Sequence, residues 1–221
     1  MTIAGLDFGV IQRALPFLLE GLALSFFLTA VAMLGGIVLG LALAVVRLSG
    51  WKVAAILAAG YVNGFRAIPL VLVIFWFYFL VPLALGHSVG ALQSVIIAFI
   101  LFEAAYYSEI FRAGLKSIRP GQWQAAYASG LVYFQALRFV ILPQALRNMM
   151  PLMITQAVVL FQDTSLVYVI SLRDFMTSVS IVANRDNRQI ETYLFAALVY
   201  FVVCAIGVAS AKRLSAPGRA A

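Results

Sequence analysis

Residues 21–46 read GLALSFFLTAVAMLGGIVLGLALAVV and hold no ionisable side chain. As an α-helix this stretch is about 39 Å long, whereas the hydrocarbon core of a bilayer is roughly 30 Å thick. A run this long and this apolar is a membrane span. The rest of the chain agrees. Of 221 residues, 64% are hydrophobic and 10% charged; soluble domains are about 45–50% apolar and about 25% charged. That much apolar surface exceeds what one small core can bury, which excludes a soluble globular protein. The same hydrophobicity excludes a disordered chain. The fold class is an all-α integral membrane protein.

Charge-poor stretches place five spans, at about 21–46, 53–80, 91–111, 149–170 and 192–211, in one transmembrane domain covering 1–221. The second is interrupted by Asn63, Arg66 and Pro69, and a kink is expected near the proline. Glu103 and Glu109 lie in the third, Asp163 in the fourth. Val81-Pro82 through Gly90 reads as a turn, and 173–191 as a mixed-charge loop. Residues 1–12 hold Asp7 and no Lys or Arg. The basic start of a cleavable signal is therefore missing, and the first stretch is expected to stay as a span.

Five spans put the termini on opposite sides. The segments 47–52 and 112–147 and the C-terminal tail carry Arg47, Lys52, Arg112, Lys116, Arg119, Arg138, Arg147, Lys212, Arg213 and Arg219, and no acid. On the other side Arg13, Arg173, Arg185 and Arg188 are balanced by Asp7, Glu20, Asp174, Asp186 and Glu191. The positive-inside rule then places 112–147 and the C-terminus in the cytoplasm and the N-terminus outside. The net charge of +7 is accounted for by these loops and calls for no nucleic-acid partner. One cysteine, Cys204, excludes an intrachain disulfide, and one histidine, His87, excludes a His-rich metal site.

The segment 116–147, KSIRPGQWQAAYASGLVYFQALRFVILPQALR, is too polar to span and too apolar for a linker. Pro120-Gly121 reads as a stop and turn. Gln122 to Ser129 can form a short helix ended by Gly130. A second amphipathic helix, from about Tyr133 to Leu142, is expected to break or kink at Pro143. Such a protruding knob suits docking to a soluble partner; composition alone favours an ordinary interfacial loop.

Gln124-Ala125-Ala126, then Gly130, then Leu142-Pro143 resemble, in order and spacing, the Glu-Ala-Ala (EAA) loop of bacterial ABC-importer permeases. Gln124 stands where the family has Glu, and Val140 where it has Ile. Gln124 keeps the hydrogen-bonding oxygen but loses the charge. Glu103-Ala104-Ala105 sits inside the third span and has the wrong context for this motif. Phe65-Arg66-Ala67-Ile68-Pro69-Leu70, Tyr107 to Gly114 with Ser117-Ile118 and Gly121-Gln122, and Gln162-Asp163-Thr164-Ser165-Leu166 resemble segments of the polar amino-acid branch. Glu103 to Glu109 and Phe161 to Val169 are most similar to glutamate/aspartate permeases.

The resemblance implies a bacterial inner-membrane permease subunit of an ATP-driven amino-acid importer. It implies that Gln124, Ala125, Ala126, Gly130, Leu142 and Pro143 couple the chain to a separate ATPase dimer, which binds ATP and Mg. It also implies a second permease subunit, identical or homologous, an external solute-binding protein and a polar amino-acid substrate. The chain itself lacks the Gly-x-x-x-x-Gly-Lys-Ser/Thr phosphate loop; Gly114-Leu115-Lys116-Ser117 lacks the glycine before lysine. No enzymatic activity and no cofactor are expected of it.

Polar groups inside spans are expensive unless they face protein or water. Asp163, Thr164, Ser165, Glu103 and Arg66 are therefore the candidates for the substrate pathway. Asp163 suits an ammonium, Arg66 a carboxylate, and Thr164 and Ser165 hydrogen bonds. The other reading makes them interhelical ties, with Arg66 paired to Asp163 or Glu109. Glu109 and Arg112, three residues apart, are expected to pair. Two alternatives stand beside the glutamate/aspartate reading: a permease for another polar amino acid or an opine, and a self-contained channel or secondary carrier.

Overall fold

The computed structural model describes residues 2–3 and 6–215; Arg219 lies outside them. A two-stranded antiparallel hairpin, β1 (Thr2–Ile3) and β2 (Leu6–Asp7), precedes eight helices. These are α1 (Gly9–Leu48), α2 (Lys52–Arg66), α3 (Leu70–Leu85, with a π turn at Trp76–Leu80), α4 (Ala91–Lys116) and α5 (Pro120–Ala128). Then follow α6 (Tyr133–Ile170), α7 (Phe175–Arg185) and α8 (Gln189–Ser215). α1, α4, α6 and α8 are each long and apolar enough to cross a membrane, and the pair α2–α3 makes a fifth, broken, candidate.

α1 begins well before the expected start at residue 21. Its first turns carry Arg13 and Glu20, but both face outward. Val10, Ala14 and Leu18 face inward and pack on Phe175, Val179, Val182 and Ala196. Charges on the outer face do not end a helix whose inner face is buried.

The inner face of α1 is a stripe of small residues. Ala32, Gly36, Gly40 and Ala44, four apart, are buried against α4. A Cβ at Gly36 would lie 2.7 Å from the Glu103 Cβ; one at Gly40 would lie 2.8 Å from the Tyr107 Cβ and 2.9 Å from the Ala104 carbonyl oxygen. This is the small-residue spacing that lets helix backbones approach in a membrane. It gives Glu103-Ala104-Ala105 a purpose: Ala104 and Ala105 are fully buried, and Glu103 and Ala104 meet that stripe.

The stretch 53–80 is not one straight span. Chain direction turns by 105° between α2 and α3. Pro69 caps α3 in extended backbone and lacks the N–H that a continuous helix would need. The expected turn at Val81-Pro82 lies inside α3; the chain reverses only after Leu85, at Gly86, whose φ is +72°.

Two further expectations concern prolines. Pro143 does not break its helix but follows a distorted turn. The chain passes from Tyr133–Ala136 through a π turn at Leu137–Ile141 into Leu142–Asp163, and the wider turn just before Pro143 absorbs its missing hydrogen bond. Pro120 likewise opens α5 rather than stopping a helix, at the position where its missing N–H costs nothing.

Residues 173–191 are not an open loop, because α7 lies among them. Asp174, fully buried, caps it by accepting from the N–H groups of Met176 (3.1 Å) and Thr177 (2.9 Å) and from the Thr177 hydroxyl (2.7 Å). Phe175 N–H donates to Ser25 Oγ at 3.2 Å, which ties α7 to α1. At the same end Asp7 N–H donates to Glu191 Oε1 at 3.0 Å, latching the hairpin to α8.

Candidate functional site

Two groups of residues stand apart from simple packing: a knob at one end of the bundle and a polar cluster within it.

The knob is α5 and the turn after it. Gly130, at φ +80°, ends α5: its N–H donates to the Tyr127 carbonyl (2.9 Å) and the Leu131 N–H to the Ala126 carbonyl (3.2 Å). These are the two bonds of a Schellman ending, which needs a left-handed residue there. Gln135 accepts from the Val132 N–H at 3.1 Å and starts α6. Trp123 stacks on Tyr133 with ring centroids 5.5 Å apart. Gln144 Nε2 donates to Gln122 Oε1 (3.0 Å), and Asn148 Nδ2 to Ser117 Oγ (2.8 Å). The knob is thus fastened to the spans on both sides.

Of the residues singled out from sequence, Gln124, Ala125, Gly130, Leu142 and Pro143 are exposed, and Ala126 is buried. Pro143, with Gln144, Arg147 and Asn148, lines a cavity of about 300 Å³ beside the knob. Tyr127, Val132 and Phe134 are also exposed there. Below, Glu109 accepts from Arg47 (2.6 Å) and Arg112 (2.6 Å), joining α1 to α4. The pair with Arg112 was expected; Arg47, at the end of α1, was the unforeseen partner.

The polar cluster joins α2, α4 and α6. Glu103 is fully buried, and both its carboxylate oxygens accept from Gln156 Nε2, at 3.1 and 3.2 Å. Asp163 follows Gln156 by seven residues, two helical turns, and so lies on the same face of α6. The Arg66 guanidinium sits 5.5 Å from the centroid of the Tyr106 ring, within cation–π range. Tyr106 follows Glu103 by three residues on α4, so the ring and the carboxylate occupy neighbouring positions on one helix face. Arg66 stacks on this ring rather than pairing with Glu109, which Arg47 and Arg112 occupy.

Arg66 is exposed, and Asp163 and Ser165 are half-buried. Thr164 is buried, with its hydroxyl donating to the Phe161 carbonyl at 2.8 Å. Its hydroxyl therefore turns back onto its own helix, while Glu103 is held by Gln156 and Arg66 by the Tyr106 ring. Sequence reasoning passed over Gln156 as a member of this group and favoured packing for Tyr106. The signal for Gln156 was available: a lone amide in the fourth span needs a polar partner, and Glu103 needs a donor.

Residues 36–217 match the family model of the binding-protein-dependent transport system inner membrane component. The chain belongs to this family. It is a multi-pass inner-membrane permease component of an ABC transporter, and ATP hydrolysis is the task of separate ATPase partners.

Among relatives of this permease is the glutamate/aspartate import permease protein GltK of Escherichia coli O6:H1. It is 50% identical over 204 residues, covering 89% of this chain and 91% of that one. The arginine transport system permease protein ArtQ of Bacillus subtilis is 33% identical, covering 91% and 92%. A solved amino acid ABC transporter with histidines superposes with a TM-score of 0.87 at 29% identity, covering 97% of both chains. The MetNI methionine ABC transporter, at 18% identity and a TM-score of 0.70, shares the fold.

Proposed function

We propose that this chain forms half of the membrane pathway of a glutamate/aspartate importer. The observation that carries the reading is the 50% identity to a glutamate/aspartate import permease across 89% of the chain. In this reading two permease subunits enclose the path, an external solute-binding protein delivers the amino acid, and an ATPase dimer binds ATP and Mg. The knob, with Gln124, Ala125, Ala126, Gly130, Leu142 and Pro143, faces the cytoplasm and seats in that ATPase. The charge asymmetry between the two ends supports this orientation.

The polar cluster supports passage of a zwitterion. Arg66 is the exposed cation for a carboxylate, and Asp163 is the half-buried anion for an ammonium. Thr164 and Ser165 adjoin Asp163. Glu103 is withdrawn beneath Gln156, so it holds the helices and shapes the wall rather than meeting the solute. One exposed cation and one accessible carboxylate suit the backbone groups common to every amino acid. Choice of an acidic side chain then falls to the binding protein.

That same balance favours one rival, a permease for another polar amino acid. Proteoliposomes holding the assembled transporter and its binding protein decide between them. ATP-dependent uptake of labelled glutamate and aspartate is expected. Uptake of arginine or glutamine with no uptake of either acid would replace the substrate assignment. Uptake without ATP would point to a carrier and overturn the coupling.

A further inference from the structure

A groove outside the polar cluster borders the knob, with which it shares Leu142, Trp123 and Tyr133. It runs between the end of α1 and the start of α6. Leu41, Val45 and Leu48 form one wall, Leu142 and Leu146 the other, and Ala44, Phe111 and Met149 the floor. The wall leucines and Val45 are each at least 40% exposed, while Ala44, Phe111 and Met149 are buried. This inner part has a volume of about 290 Å³ and no polar surface. Val45, Leu48 and Leu115 are shared with a wider outer part of about 520 Å³, which adds Ser49, Lys116, Trp123 and Tyr133. The α1 wall of the groove follows about 10 Å of helix axis, from Leu41 to Leu48 at 1.5 Å per residue.

The chemistry changes in order along this groove. The deep end is hydrocarbon. The mouth presents Trp123 and Tyr133, the amphipathic aromatics that settle at the membrane–water boundary. Lys116 follows, exposed and without a carboxylate partner among the described residues. Lys52, three residues past Ser49, brings a second exposed cation within about 11 Å of the chain at the mouth. Apolar depth, boundary aromatics and a free cation match one phospholipid lying along the helices. A soluble peptide would leave its backbone polar groups unmatched in the deep part.

We infer that this groove binds an anionic phospholipid, with one acyl chain between α1 and α6 and the phosphate headgroup at Lys116. The apolar part gives little preference over bulk bilayer, because lipid tails are as apolar as leucine. Selectivity comes from the charge at the mouth, at about fivefold for one lysine. The lipid touches Trp123 of α5 as well as the spans, so it would brace the knob against them.

The test uses the transporter isolated with the subunits that accompany it, stripped of lipid in mild detergent. Phosphatidylglycerol and phosphatidylcholine with the same acyl chains are added separately, and retained lipids are counted by native mass spectrometry. Retention of phosphatidylglycerol, about fivefold above phosphatidylcholine, is expected. Val45→Trp fills the groove from an exposed wall position and should abolish retention. Lys116→Gln leaves the groove open and should bring the two lipids level. Absence of retained lipid, equal retention of both by the unmodified protein, or full retention in Val45→Trp would overturn the assignment. Should Val45→Trp fail to assemble, Lys116→Gln, altering only an exposed side chain, decides the matter: an undiminished preference for phosphatidylglycerol would sink the site.

Discussion

Adding one methyl group at Gly40 tests whether α1 and α4 are held by backbone proximity. The new Cβ would stand 2.8 Å from the Tyr107 Cβ, 2.9 Å from the Ala104 carbonyl oxygen and 2.9 Å from the Ser108 nitrogen. Two of these three are main-chain atoms, so no side-chain rotation relieves them. Reaching the 3.4 Å of ordinary contact requires the helices to part by about 0.5 Å at their closest point. Overpacking a tight interface in this way costs about 1–3 kcal/mol. A Gly→Ala change also favours any helix interior by about 0.8–1 kcal/mol, which would mask part of the effect. Gly60→Ala removes that ambiguity, since Gly60 lies in α2 with nothing within 4 Å of the added carbon. The two variants share the propensity gain and differ in the clash. Thermal unfolding of both in the same detergent, followed by size-exclusion of the surviving fold, should separate them by about 1–3 kcal/mol, with Gly40→Ala the weaker. Equal stability of the two would refute the close-packed crossing.

Gln156→Leu removes the one hydrogen-bond donor to the Glu103 carboxylate among the described residues and leaves that buried acceptor without a bond. A stability loss of about 1–3 kcal/mol is expected in the same unfolding assay, and no loss would mean that Gln156 is not the partner. Asp174→Ala deletes the α7 cap and should cost about 0.5–2 kcal/mol. Hydrogen exchange should rise across 175–185 while α4 stays protected; Asp174→Asn, which keeps an acceptor, should lose less. The Gly9 N–H, followed by Arg13, holds the Asp7 carboxyl below its usual value of 3.8. A lowered carboxyl pKa stabilises the fold above 3.8 and the effect is lost as pH falls through the lower folded value. The protection factor of the Gly9 amide, its exchange relative to an unfolded chain at the same pH, should therefore fall only below about pH 3.8; a fall in protection near neutrality would contradict it.

The spans were legible because length and apolarity are properties of local sequence. Residues 91–111 and 192–211 fall inside α4 and α8 for that reason. Gly130 was legible as a helix end because φ +80° is a glycine conformation. What local sequence hides is where a helix gains its support. The first turns of α1 looked excluded by Arg13 and Glu20, yet they fold on α7 and α8. The break at Pro69 was visible, but its 105° turn depends on what α2 and α3 pack against. The helix α7 was hidden by the mixed charges of 173–191, although Asp174 with Thr177, and Phe175, Val179 and Val182 at helical spacing, were its cap and its buried face. Within the polar cluster, Arg66, Glu103 and Asp163 were readable as costly intramembrane charges. The stacking of Arg66 on Tyr106, and the pairing of Glu103 with Gln156, are tertiary facts that spacing along one helix does not contain.

The central claim is that the knob joins this permease to an ATPase. Affinity purification in mild detergent, with the accompanying chains identified by mass spectrometry, tests it most directly, using the unmodified protein beside Gly130→Trp. A Cβ at Gly130 would meet nothing within 4 Å, but a residue other than glycine cannot readily hold φ +80°, so the turn is disturbed while the spans keep their packing. The account predicts that a phosphate-loop ATPase accompanies the unmodified chain and is lost from Gly130→Trp at equal permease yield. An ATPase retained in full by Gly130→Trp, or a stable complex that contains no ATPase at all, would contradict it.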